Sequence, residues 1–392
     1  MASPNERQGA CLPPPSTRNP DARCRCESGD QPGRNSDLLH SLHGGSDRTD
    51  AAESPDLGWA HLVTVVIPAF NAAATLDATL HSVRAQSHRE LEILVVDDGS
   101  TDGTVAIVER HARSDPRLRL IRQANAGVAA ARNRGIAEAR AELIAPIDAD
   151  DLWMPTKIEK QLSAMLAAGD DVGFAYVWQT EIDEQDTVVS TAHQPGEEGD
   201  VFLPLLAWNI VGSGSNALMR KRAAIEAGGF DATLRANGGE GCEDLMLFVR
   251  IAKSHKVALV REHLVGYRRW RGNMSANFRQ MYRSGSLVKA KLLKLYPQYA
   301  RQIRVGHASM CQYLFWSAVK NSDYWSAAVL GLKLIACDFP AALKVANRIS
   351  FGLLRLAILR RPRRVVTFPM THPVAFRKYE VGASASLRET PR

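Results

Sequence analysis

The decapeptide ELIAPIDADD, residues 142–151, closes an apolar run with three carboxylates, Asp148, Asp150 and Asp151. Like charges this close raise each other's pKa unless a cation or protons lie between them. A hard divalent ion held by one or two carboxylates completes its shell with water and substrate phosphates, so a diphosphate is the natural guest. A second acidic pair, Asp97-Asp98, closes the apolar run LEILVVDDGS (91–100). Asp and Gly are ordinary turn residues, so a plain turn explains that pair. A turn that holds a base or ribose, with a carboxylate accepting from an imide N–H or a hydroxyl, explains it equally. The third pair is Glu243-Asp244 in GCEDLMLFVRIA (241–252), just after the Gly-rich stretch ANGGEG (236–241). Helical spacing sends Leu245, Phe248, Ile251 and Ala252 to the core and leaves the acids in the first turn. The helix dipole favours their ionised form there. A simple helix cap and a reactive carboxylate are both open at this position.

These acids need elements that bring them together. LVTVVIPAF (62–70) reads as a buried strand and NAAATLDATLHSVRAQ (71–86) as a helix capped by Asn71, with Leu76, Leu80 and Val83 on one face. A strand over 91–100, a helix over 101–113, a strand over 118–123, an Ala-rich helix over 127–140 and a strand over 142–147 follow. Pro155 opens a further helix, with Ile158, Leu162, Met165 and Leu166 on its apolar side. This alternation predicts an α/β fold, a mostly parallel sheet with helices on both faces. Ligands of such sheets sit at the carboxyl ends of the strands. Asp97-Asp98 and Asp148 to Asp151 therefore belong to one rim. After Gly169 short strands (172–178, 187–192, 213–219), a helix near 243–254 and a strand near 256–268 are expected, and beyond Gly272 the chain reads as all-helical.

The chain has 392 residues, 45% hydrophobic and 23% charged, enough for one large or two ordinary domains with a real core. The net charge of +7 is unevenly spread. Residues 1–60 carry 6 basic and 9 acidic side chains, 61–270 carry 22 and 29, and 271–392 carry 21 and 4. The basic C-terminal third suits an anionic partner, a membrane surface or a polyanion, or a solvated Arg-rich helical face. Residues 1–58 are rich in Pro, Ser, Gly, Asp and Arg without apolar periodicity, and are expected to be disordered. The opening MASPNERQGACLPPPS has no apolar stretch after its charges, so no leader is expected. No segment reaches the roughly 18 apolar residues needed to span a bilayer. Cys11, Cys24, Cys26, Cys242, Cys311 and Cys337 do not form a disulfide framework, which fits a reduced, cytoplasmic setting.

Seven stretches in this order resemble the inverting family 2 glycosyltransferases of GT-A fold: VTVVIPAFN (63–71), EILVVDDGSTDGT (92–104), NAGVAAARNRGI (125–136), IDADD (147–151), AGGFD (227–231), CEDLMLFVRIA (242–252) and YRRWRGNMS (267–275). The resemblance covers about 61–275. It implies a GT-A domain over 61–275, and leaves outside it the tail over 1–60, expected to be disordered, and the basic region over 276–392, expected to be helical. It implies that Pro68, Phe70 and Asp98 cradle a nucleotide base, usually uracil, and that Arg132 lies near the nucleotide or its phosphates. Asp148-Ala149-Asp150 matches the DxD motif, with Asp151 beside it, and these acids would meet the ribose and a Mn²⁺ or Mg²⁺ ion on the diphosphate. Asp244, with Glu243 beside it, matches the general base. The base would deprotonate an acceptor hydroxyl, which attacks the anomeric carbon from the face opposite the diphosphate.

Two departures stand out. Trp270 occupies the place where many relatives carry a His, so Arg268, Arg269 or Arg271 would supply positive charge to the diphosphate. Arg269-Trp270 also resembles the QxxRW signature of processive synthases, but Gly266 stands in the Gln position, so one sugar per encounter is expected. The loop 232–242, with Trp208 and Asn209, is expected to meet the acceptor. The implied partners are a nucleotide-sugar donor, UDP-linked, and a saccharide or lipid-linked acceptor of cell-surface polysaccharide or glycolipid assembly, with no nucleic acid. The segment RISFGLLRLAILRRPRR (348–364) either lies peripherally on the inner face of a membrane or packs as an Arg-fringed helix. Competing classes are a silent nucleotide-sugar-binding protein and a sugar-nucleotide nucleotidyltransferase. The latter wants a Gly-rich, cationic phosphate loop after the first strand, where this chain has PAFNAAATL.

Overall fold

The computed structural model describes residues 61–191, 194–270 and 273–337, and the strand Val366–Thr367. The N-terminal tail with Cys11, Cys24 and Cys26, the residue Arg271 and the segment 348–364 lie outside the described residues.

Strands and helices alternate from the start: β1 (Val63–Ala69), α1 (Leu76–Arg84), β2 (Leu91–Asp97), α2 (Thr104–Ala112), β3 (Leu118–Arg122), α3 (Val128–Glu138) and β4 (Leu143–Pro146). β1 pairs in parallel with β2 and β4, and β2 in parallel with β3. Every residue of β1 and β2 is buried. Their near-continuous Val, Ile and Leu runs are what a parallel strand covered on both faces requires. Helix α3 is Ala-rich for a packing reason. A Cβ at Gly135 would collide with the Val66 side chain, so the helix lies directly on β1.

The second half of the sheet is mixed. In chain order come β5 (Leu152–Trp153), α4 (Lys157–Ala168), β6 (Val172–Ile182), β7 (Thr187–Thr191), α5 (Phe202–Ala207), β8 (Ala217–Arg220), α6 (Lys221–Glu226), α7 (Thr233–Ala236), α8 (Glu243–Ala252) and β9 (Lys256–Arg268). β8 joins β4 and β6 in antiparallel fashion, β6 runs parallel to β9, and β5 adds to β9 antiparallel. One face of the sheet buries Val65, Ile67, Leu76, Leu80, Ile158 and Leu162 against α1 and α4. The other buries Val66, Leu94, Ile144, Phe248 and Ile251 against α3, α5 and α8. The helices α9 (Phe278–Leu295), α10 (Ala300–Lys320) and α11 (Tyr324–Cys337) follow. Val288, Leu292 and Ile303 join the second core, and α9 to α11 share a smaller core around Cys311, Leu314 and Leu330.

Four local expectations need correction. Asn71 does not cap α1. It takes a left-handed φ of 49° and its Oδ1 accepts from the Thr101 N–H at 2.8 Å, tying the end of β1 to the turn after β2. Leu166 is 42% exposed, because α4 buries Ile158, Leu162 and Met165 along a narrower stripe. The stretch 213–219 is a helical turn at Gly214–Asn216 before β8 rather than one strand. The region after Gly272 is not wholly helical, since β10 (Val366–Thr367) pairs antiparallel with β7.

Candidate active site

The carboxyl ends of β1, β2 and β4 open on one rim, as the alternation implied. Beside it lies a cavity of about 1090 Å³, lined among others by Pro68, Phe70, Arg132, Asp148, Asp150 and Asp244. That is at the top of the usual range for a small-molecule site.

Ser215 sets the geometry of the 148–151 turn. Its hydroxyl accepts from the Asp148 N–H at 3.0 Å and donates to Asp151 Oδ2 at 2.5 Å, and its carbonyl accepts from the Trp153 indole at 3.0 Å. Thr79 adds hydrogen bonds to the carbonyls of Ala149 and Asp151. Held in this way, the turn presents Asp148 and Asp150 to the cavity and sends Asp151 the other way. Asp151 is fully buried, and its Oδ1 accepts from the Arg268 N–H at 3.0 Å. Burial and the neighbouring acids push its carboxyl well above the usual range. Asp151 therefore braces the turn, set apart from the cavity that Asp148 and Asp150 line.

Asp150 takes one hydrogen bond from the cavity side. The Trp270 indole N–H donates to its Oδ2 at 3.2 Å, leaving Oδ1 outside that bond. Burial and the nearby Asp148 raise its pKa to about 6. Asp148 pairs with Arg132, whose guanidinium also pairs with Glu243 on α8. Arg132 thus spans the acids after β4 and the acids of α8. It is 3% exposed, lies over the Phe230 ring at 5.1 Å from its centroid, and has its pKa raised by the surrounding carboxylates.

The Glu243-Asp244 pair divides its roles. Cys242 adopts a left-handed φ of 63° and starts α8 abruptly, so both acids fall in the first turn. Glu243 is buried and pairs with Arg132, and it too borders the cavity. Asp244 lines the cavity, and its Oδ1 accepts from the adjacent Leu245 N–H at 2.7 Å. Burial, then the charge of Glu243, raise its pKa to about 7 against the opposing pull of Arg132.

Three other expected contacts lie elsewhere. The Asp98 carboxylate is not among the cavity's lining groups. It accepts from Gln123 Nε2 at 2.7 Å and from the N–H groups of Ala126 and Gly127 at 2.9 and 2.8 Å, fastening the loop that leads into α3. Arg268 is buried and donates to the carbonyls of Asp150 and Asp183, with Asp186 as its ionic partner. Arg269 donates to the Tyr313 hydroxyl of α10 at 2.8 Å. Neither residue lines the cavity. Trp208, Asn209, Gly241 and Cys242 do line it. The roles of Ser215, Thr79 and Trp153 had no signal in the sequence, because each depends on contacts more than 60 residues apart.

Asp148 and Asp150 suit a divalent ion. They are crowded, partly withdrawn from water, and one of them keeps a raised pKa that a cation would reverse. A separate group, Asp77, His81 and His111 on α1 and α2, brings its ligand atoms within 4.8 Å of one another. Arg110 already pairs with Asp77, and Arg84 stands 2.9 Å from His111 Nδ1. Protein cations serve that cluster.

Residues 64–228 match the model of glycosyl transferase family 2, and this stretch holds the strands β1 to β8 of the mixed sheet with the helices that flank them. Among curated relatives, a Bacillus subtilis protein provisionally named the teichuronic acid biosynthesis glycosyltransferase TuaG is 40% identical over 109 residues, 28% of this chain and 43% of its own. The uncharacterized glycosyltransferase YibD of Escherichia coli is 40% identical over 113 residues, 29% of this chain and 32% of its own. The chain therefore spans less than half the length of either relative. Among solved structures, the mannosyltransferase PcManGT of Pyrobaculum calidifontis, in complex with GDP-Man and Mn²⁺, superposes with a TM-score of 0.48 at 20% identity, covering 76% of this chain and 83% of that one.

Proposed function

We propose that the protein is an inverting, metal-dependent glycosyltransferase that moves a sugar from a nucleoside-diphosphate donor, UDP-linked, to an acceptor hydroxyl in cell-surface polysaccharide or glycolipid assembly. The observation that carries this reading is the convergence on one cavity of Asp148 and Asp150 with Asp244, two acidic groups fixed across the site by Arg132. Pro68 and Phe70 at the end of β1 line the same cavity and would face the base.

Asp148 and Asp150 would hold the Mn²⁺ or Mg²⁺ ion, which when bound supplies charge neutralisation for the departing diphosphate. The protein's own part begins at Asp244. A carboxylate with a pKa near 7 is poised to take a proton from an acceptor hydroxyl at neutral pH. Glu243 and Arg132 fix the start of α8 and so aim Asp244. Trp270 holds the Asp150 carboxylate in one orientation. Direct displacement by the acceptor oxygen needs no covalent intermediate, so no nucleophilic Ser or Cys is required.

The test is nucleotide release from a panel of UDP-, GDP- and dTDP-sugars with Mn²⁺ or Mg²⁺, followed by the anomeric configuration of the product by NMR. Slow hydrolysis of a UDP-sugar, abolished by chelator and giving the inverted anomer, is expected. Retained configuration or chelator-insensitive release would overturn the proposal.

A further inference from the structure

Helix α11 is apolar all round. Its sequence YWSAAVLGLKLIAC carries a single charge, Lys333. One face, Ala327, Leu330 and Leu334, packs into the small core shared with α9 and α10. Lys333 leans back onto α9, its Nζ 3.6 Å from the centroid of the Tyr282 ring. The remaining face shows Tyr324 and Leu332 at 69% exposure, Trp325 at 68% and Ile335 at 48%. Trp325, Ala328, Leu332 and Ile335 follow helical spacing, so these side chains form one stripe without a charge on it. A helix that is apolar on both faces belongs in a core or against lipid, and this one has solvent on half its girth.

The surroundings decide what covers that stripe. Residues 273–337 carry nine Lys and Arg against one acid, Asp323. Arg279, Arg283, Lys294, Arg301, Arg304 and Lys320 are all exposed. Residues 338–392 are basic as well, with eleven Lys and Arg against three acids. A second copy of this region, or the chain's own following segment, would bring like charge onto like charge. An anionic lipid surface complements it. Tyr and Trp are the residues that favour a boundary with one apolar and one wet side. At 14 residues the helix is about 21 Å long, short of the roughly 30 Å hydrocarbon layer. No helix among the described residues is long and apolar enough to cross a membrane.

We propose that the outward face of α11, led by Trp325 and Leu332, seats in the interface of a membrane with anionic headgroups. The helix lies in the plane of the interface, and the cations of α9 and α10 draw the protein to that surface. This surface is distinct from the segment 348–364, and the proposal does not depend on the reading of the cavity.

The experiment is co-sedimentation of the full chain with vesicles of phosphatidylcholine alone and of phosphatidylcholine with phosphatidylglycerol at seven to three. Wild type is expected to bind the anionic vesicles, more weakly at high salt, and to bind the neutral ones poorly. Burying one large apolar side chain is worth roughly a factor of ten in partitioning. The double variant Trp325→Ser, Leu332→Ser is therefore expected to bind about 100-fold more weakly, and Leu332→Trp more tightly. Both sites are exposed, so circular dichroism should be unchanged. Brominated acyl chains should quench emission in wild type more than in Trp325→Phe. Absence of wild-type binding, or equal binding by the double variant, would overturn the proposal. So would a change from dimer to monomer in the double variant with vesicle binding intact, since that would make a second copy the occupant.

Discussion

Replacing Arg132 by Met is the most informative perturbation of the site. The substitution keeps an apolar stem over Phe230 and removes the charge that Asp148 and Glu243 share. Glu243 has a side-chain exposure of 7%, so its charge would be stranded in the interior, while Asp148 at 27% retains some water. Removing one partner of a buried pair costs about 3–5 kcal/mol. The partial solvation of Asp148 puts this case at the lower end, about 3 kcal/mol. For a domain of this size about 1 kcal/mol moves Tm by roughly 2–4 °C, so a drop of about 6–12 °C is expected. Adding Glu243→Gln to Arg132→Met should restore much of the loss, giving a coupling energy of about 1 kcal/mol or more in a double-mutant cycle. Differential scanning calorimetry of the single and double variants reads all of this. A loss below about 1 kcal/mol, or no recovery in the double variant, would refute the reasoning.

Three further outcomes follow from individual groups. Donor hydrolysis by wild type should show an acid limb near pH 7, because Asp244 with its pKa of about 7 acts only when ionised, and that limb should vanish from the residual rate of Asp244→Asn. Trp270→Phe removes the hydrogen bond to Asp150 and should weaken Mn²⁺ binding about 10–100-fold by electron paramagnetic resonance, with Trp270→His recovering part of it; unchanged affinity would mean that the indole does not position the carboxylate. Lys157 is fully buried with its Nζ 3.8 Å from the centroid of the Trp153 ring and a single carbonyl partner, and burial depresses its pKa well below the usual lysine range. The unfolded chain therefore binds the extra proton, the penalty is fully present below the folded pKa, and it fades as pH rises towards about 10. Lys157→Met should be neutral to stabilising by about 1 kcal/mol at pH 7, with a smaller difference at pH 10 in urea melts; destabilisation would show that the amine's contacts outweigh its desolvation.

The order of strands and the location of the acids were legible in the sequence because buried parallel strands leave long apolar runs and the acids fall where those runs stop. The direction of each side chain was less legible. Asp148, Asp150 and Asp151 look equivalent in the sequence, yet the turn held by Ser215 points the first two into the cavity and the third into the protein. Tyr267 and Arg268 are neighbours on β9, and successive strand residues face opposite ways. Tyr267 lines the cavity while the Arg268 guanidinium meets backbone carbonyls on the other side. Arg269 is held by Tyr313, a residue of α10 that no nearby sequence pattern couples to it. The same holds for Asp98, whose partners come from the loop before α3. The link that Arg132 makes between two acidic motifs 95 residues apart was likewise invisible until the chain was folded.

The central claim is that the cavity acids divide between holding a metal-bound donor and removing the acceptor proton. The most direct measurement is calorimetric binding of a UDP-sugar with Mn²⁺, set beside its turnover, in wild type, Asp244→Asn and Asp150→Ala. The account predicts that Asp244→Asn binds donor as wild type does and loses turnover by about 100-fold or more, whereas Asp150→Ala loses the Mn²⁺-dependent part of binding itself. Turnover that survives in Asp244→Asn, or Mn²⁺-dependent binding that survives in Asp150→Ala, would contradict it.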